Sequence, residues 1–175
     1  MSATSPQPIQ RYTKMMRSDL SGYWFDAYGW IACYFAQLEG LSYALIEGLG
    51  SAEDKARLAR LPYQVRTEKA KTLVCDYLSG RGDDALADEW ASFLNEARNV
   101  APMRNKILHN PLTVNLALGD PLHDPEAGIR LVHESGKPVM QLGEVQAFSK
   151  AMLDLNLRMQ ALLTRSGLAA ALSPP

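Results

Sequence analysis

From Trp24 the apolar residues recur at alternating steps of four and three. Trp24, Tyr28, Ile31, Phe35, Leu38, Leu45 and Leu49 fall on one stripe that only Ser42 interrupts. This spacing predicts a long helix with one core face, capped near Asp19 or Ser21 and ended by Gly48 and Gly50. A second stripe, Tyr23, Ala27, Trp30, Tyr34 and Leu41, lies beside the first. So wide an apolar surface fits either a helix buried on two sides or a subunit interface through Trp30, Tyr34 and Leu41. Ser51-Ala52-Glu53-Asp54 has the form of a capping box and predicts a short second helix that stops at Pro62. A third helix is expected from Tyr63 to Leu78, with Ala70, Leu73, Val74 and Tyr77 inward, and Gly80 to Asp83 form a turn. The fourth opens at Asp83 or Asp84 on the stripe Leu86, Trp90, Phe93, Ala97 and Val100.

Pro102 removes a backbone donor and crowds the preceding turn, so the fourth helix either kinks there or restarts with Pro102 in its first turn. If the axis continues, the stripe delivers Arg104 and then Ile107, placing an arginine where Leu is expected. Asn110-Pro111 ends the helix. Residues 111–142 change character: three short, partly alternating runs near 113–118, 129–132 and 139–142 are separated by Gly-Asp-Pro and Gly-Lys-Pro turns. A last helix from Gly143 to Arg165 carries the stripe Val145, Phe148, Met152, Leu155, Met159 and Leu162. The expected fold class is all-α, an up-and-down four- to five-helix bundle with a small loop/β insertion before the last helix. The domain spans 18–166, between a flexible N-terminal arm over 1–17 and a flexible tail over 167–175.

Composition narrows the classes. With 175 residues, 47% hydrophobic and 21% charged, the chain fits one globular domain. A net charge of −1 gives no global attraction to nucleic acid, so any such binding needs a local patch. Cys33 and Cys75 lie in apolar periodic segments and are expected as small core residues in a reducing compartment. The N-terminus lacks a secretion signal, and the apolar run from Ala27 to Ala36 is too short to span a bilayer. The expectation is a cytoplasmic protein with no membrane contact and no cofactor.

The candidate chemistry gathers in Arg104-Asn105-Lys106-Ile107-Leu108-His109-Asn110. Asn105 and His109 are one turn apart and share a helix face. Arg104 and His109 differ by about 140° around the axis, so the two meet only if the arginine swings or a second chain supplies one of them. An imidazole to move protons, a guanidinium to stabilise phosphate oxygens and an amide to orient them suit a phosphodiester. A purely structural reading stands beside this one: Arg104 pairs with Glu96 or Asp88, and His109 caps its helix.

A bundle whose penultimate helix carries Arg104, Asn105 and His109 just before its end resembles the HEPN superfamily (higher eukaryotes and prokaryotes nucleotide-binding). The long first helix and the closing helix after a variable loop agree over roughly residues 18–165. The resemblance implies a homodimer whose two motifs face one cleft. In active members that cleft is a metal-independent endoribonuclease, often a toxin or a defence or stress effector paired with an antitoxin or other protein partner. There the ribose 2′-hydroxyl attacks the adjacent phosphorus, leaving a 2′,3′-cyclic phosphate. His109 would be the acid/base, Arg104 the phosphate stabiliser and Asn105 the positioning residue. His109 is followed by Asn110-Pro111, without the tyrosine two residues on that marks members paired with a nucleotidyltransferase antitoxin. Other members are non-catalytic dimerisation or partner-binding modules, which is the alternative function.

Two further groups carry ionisable side chains. Between Lys55 and Lys71, six cations face Glu68 alone. Arg66 and Lys69 there, with Lys106 in the motif, are candidate RNA contacts, although such a run is more often a solvated helix face. His123 and His133, with Asp120, Asp124 and Glu134, match no metal spacing and read as loop residues.

Overall fold

The computed structural model describes residues 19–110, 112–114, 129–132 and 138–172. The expected arm over 1–17 and the loop group around His123 and His133 lie outside these residues. The protein is an all-α helical bundle carrying a small sheet. In chain order come α1 (Asp19–Leu49), α2 (Ala52–Arg57), a 3₁₀ turn (Leu58–Arg60), α3 (Tyr63–Ser79), α4 (Asp84–Asn99) and α5 (Ala101–Leu108). Strands β1 (Leu112–Val114), β2 (Ile129–Val132) and β3 (Pro138–Met140) follow, then α6 (Leu142–Ser166) and α7 (Leu168–Ala171).

The expected capping box opens α2: Ser51 Oγ accepts from Asp54 N at 3.2 Å, and the Asp54 carboxylate accepts from Ser51 N at 3.1 Å. Pro102 falls in the first turn of α5, and the chain breaks helix at Val100, the residue closing α4. The sheet is antiparallel in the order β1-β2-β3, with Leu112 opposite Leu131 and Leu131 opposite Met140. Leu142 is already helical, so the third strand stops short of the expected 142.

The chain divides into two compact units, residues 1–31 with 105–149, and residues 32–104 with 150–175. In the first, Trp24, Ala27, Ile31, Ile107, Met140, Leu142 and Val145 form the buried core, with Tyr28, Leu108 and Phe148 packed against it. In the second, α3 and α4 pair as a hairpin turned at Gly82, whose φ of 78° suits a residue without Cβ. Phe35 and Leu38 of α1, Trp90 and Phe93 of α4, and Met152 and Leu155 of α6 are buried in this unit. Surface arginines tie α6 to α4: Arg165 grips Glu89 with two bonds of 2.7 Å, and Arg158 pairs with Glu96.

Three expectations are corrected. Leu41 is 6% exposed and belongs to the core of its own chain, so it is not available to a dimer interface; among the three candidates Trp30 is exposed and Tyr34 intermediate. Cys33 is exposed and Cys75 intermediate, because the α1 core stripe is narrower than its apolar composition and Ala32, Cys33 and Ala36 fall outside it. The chain from 167, expected as a flexible tail, turns at Gly167 (φ 68°) into α7, and Leu168 there is fully buried.

Candidate functional site at the end of α5

Two short helices built around Pro102 position the motif. Arg104 donates its backbone N–H to Val100 across the break at 3.0 Å, which seats the residue in the first turns of α5. Its unit is the one containing Phe35, and its guanidinium carbon lies 4.5 Å from the centroid of the Phe35 ring. Such a cation–π contact holds the guanidinium plane in one orientation and contributes about 0.5–1 kcal/mol at a partly exposed site. Of the two carboxylates in the structural alternative, Glu96 and Asp88, Glu96 pairs with Arg158.

Asn105, Lys106 and His109 belong to the other unit, and all three are exposed. Between them Ile107 is fully buried in that unit's core and Leu108 packs against it, so two apolar side chains anchor a turn from which Asn105, Lys106 and His109 face solvent. Among the described residues, Lys106 and His109 form no ion pair, and no carboxylate offsets the charge at this helix end.

The last carbonyls of a helix lack intrahelical partners. Here three of them are met, those of Asn105, Lys106 and Ile107. His109 N donates to Asn105 O at 3.0 Å, the Asn110 side-chain amide donates to Lys106 O, and the Tyr28 hydroxyl donates to Ile107 O at 2.8 Å, with Asn110 O a longer acceptor at 3.4 Å. Burial pushes the Tyr28 phenol up to about 12, so it remains a donor throughout the neutral range. The sequence placed Tyr28 only on the core stripe. Its hydroxyl role was hidden there, because a stripe position in a helix records burial and not what the polar tip reaches.

The other candidate RNA contacts separate sharply. Arg66 is 3% exposed and its donors are committed: Nε to Ser42 Oγ at 3.1 Å, Nη1 to Tyr43 Oη at 2.8 Å and to Leu61 O at 2.9 Å, and Nη2 to Glu39 Oε1 at 2.5 Å. This corrects the expectation that Arg66 contacts RNA. The one polar residue on the α1 stripe, Ser42, is buried because it receives this arginine. Lys69 pairs with Asp54 at 2.9 Å, Lys71 with Glu68 and Arg57 with Glu53, so with Arg66 four of the six cations in the basic run are neutralised, while Lys55 and Arg60 are exposed without an ion-pair partner among the described residues. Lys106 is the one of the three candidates that remains exposed without a described ion-pair partner.

An open groove of about 570 Å³ lies along Gln64, Val65, Glu68, Arg98, Asn99 and Pro102. Its charged walls, Glu68 and Arg98, are bonded to each other at 2.7 Å, which leaves it without a nucleophile or titrating base. No group of three or more His, Cys, Asp or Glu among the described residues could hold a metal ion, and no described helix is long and apolar enough to cross a membrane. Compared with known proteins, the chain matches no family model, no curated protein and no solved structure.

Proposed function

We propose that the protein is a metal-independent endoribonuclease of the HEPN type that acts as a homodimer, in the manner of a toxin or a defence or stress effector. The observation that carries the reading is the end of α5, where Asn105, Lys106 and His109 are exposed on a turn pinned by Ile107, directly after the oriented Arg104. His109 moves the proton of the ribose 2′-hydroxyl, Arg104 stabilises the charge that develops on the non-bridging oxygens, and Asn105 positions the phosphate. Lys106 adds a phosphate contact of the sequence-independent kind. The helical angle between Arg104 and His109 favours a site completed by a second copy of the chain. The motif speaks for a second copy of the chain as partner; an antitoxin or other protein is the partner class that the toxin reading adds.

The test is cleavage of total RNA by purified protein in EDTA. The wild type should cleave and His109→Ala should not, at equal folded concentration. Cleavage that survives His109→Ala, or that requires a divalent metal, overturns the assignment. A second reading, a non-catalytic dimerisation module using Trp30 and Tyr34, is supported by the 55% exposure of Trp30. Light scattering on Trp30→Asp checks it: a dimer reduced to a monomer supports that surface, and an unchanged mass removes it.

A further inference from the structure

The His109 side chain makes no hydrogen bond or ion pair with any described residue, so among these residues its placement comes through its backbone. That backbone is the last turn of α5, where among the described residues three donors reach the carbonyls at the helix end. Two are local, from His109 N to Asn105 O and from the Asn110 amide to Lys106 O. The third comes from a different helix, from Tyr28 on α1 to the carbonyl of Ile107, two residues before His109. Local bonds shape a turn but move with it. A bond from another element fixes where the turn sits.

We infer that Tyr28 is a positioning residue whose hydroxyl fixes the His109 turn against α1, so that the imidazole meets a phosphodiester in one orientation. This rests on the ribonuclease reading for its consequence, but its geometry does not. The ring is half-buried, with its centroid 6.5 Å from that of Trp24, so Tyr28→Phe removes the donor and keeps the packing. Its depth also matters for the proton: a phenol raised to about 12 by burial donates at any pH at which RNA is stable. A matched control exists in the same chain. Tyr63 Oη donates to Ala97 O at 2.9 Å near the end of α4, in the other unit, and burial likewise raises its phenol to about 12.

The experiment compares wild type, Tyr28→Phe and Tyr63→Phe by amide hydrogen exchange and by steady-state cleavage of a single-stranded RNA oligonucleotide. Tyr28→Phe should speed exchange of the His109 amide about tenfold, the factor one lost net hydrogen bond gives. It should lower kcat by a similar factor with KM unchanged, because binding by Lys106 and Arg104 is intact. Tyr63→Phe should change neither. Unchanged His109 exchange in Tyr28→Phe, or equal acceleration in Tyr63→Phe, overturns the positioning role. Faster exchange confined to Tyr28→Phe in a wild type that cleaves no RNA supports Tyr28's hold on the turn and overturns the ribonuclease reading instead. A raised KM with unchanged kcat assigns Tyr28 to binding and contradicts the inference.

Discussion

The stretch from Lys55 to Lys71 and the stretch from Arg104 to Asn110 look alike as sequence, each setting cations beside apolar positions. In the fold they are opposites. Arg57, Arg66, Lys69 and Lys71 each meet a carboxylate, and Arg66 is drawn wholly inside, ringed by Glu39, Ser42, Tyr43 and the Leu61 carbonyl. At the end of α5, Lys106 and His109 stand in solvent with no acidic partner among the described residues. Of the six cations in the denser run, these four are structural, and Lys55 and Arg60 stay exposed without an ion-pair partner among the described residues. Surface ion pairs of this kind contribute about 0–1 kcal/mol each, yet they remove the unpaired charge that a phosphate would need.

If that contrast is right, the largest effect belongs to the sparser stretch. His109→Ala should lower the rate of RNA cleavage about 100-fold or more, the range for losing a general acid or base, while the thermal midpoint stays put because the side chain is exposed. Arg66→Ala should do the reverse. It removes the buried donors to Ser42, Tyr43 and the Leu61 carbonyl and leaves a cavity, while the partly exposed Glu39 turns to solvent, and should cost about 2 kcal/mol of unfolding free energy in urea, with RNA affinity per folded molecule unchanged. Affinity that falls in Arg66→Ala at full folding would break the comparison.

Smaller effects sharpen it. Tyr63→Phe should cost about 1 kcal/mol in the same titration without changing cleavage. Hydrogen bonds from Lys69 and Ser51 hold the Asp54 carboxyl below the usual carboxylate range. Its folded value is depressed, so its contribution is complete above the unfolded value of about 4 and is lost as pH falls through the lower folded value. Thermal midpoints measured at pH 7 and pH 3 should therefore fall less in Asp54→Asn than in wild type. Arg57→Ala, which breaks an ion pair exposed on both sides, should stay within about 0.5 kcal/mol of wild type.

Much of the fold was legible because its signals are local. Four-three periodicity located α1, α4 and α6 to within a residue or two, and Ser51 with Asp54 announced the capping box that the structure contains. Pro102 announced a break whose form, a restart after Val100, depended on tertiary context. What was not legible is where polar tips go. Ser42 read as a flaw in a stripe and is the acceptor for a buried arginine 24 residues away. Arg66 read as surface charge for the same reason, since nothing local distinguishes a solvated arginine from one enclosed by another helix. Leu41 and Cys33 exchanged expected places because composition sets how apolar a helix is, whereas packing sets how much of its circumference is covered. The motif itself was visible as residue types, but the hydroxyl from Tyr28 that holds its turn is 79 residues distant from Ile107.

Transesterification of RNA at the end of α5 is the central proposal. The most direct measurement is the chemistry of the cleaved ends, read by treating products formed in EDTA with cyclic phosphodiesterase and with polynucleotide kinase. A 2′-hydroxyl nucleophile activated by His109 predicts 2′,3′-cyclic phosphates on one side of each cut and 5′-hydroxyls on the other, both absent from His109→Ala reactions. Products bearing 3′-hydroxyl and 5′-phosphate ends, or no His109-dependent products at all, would contradict it.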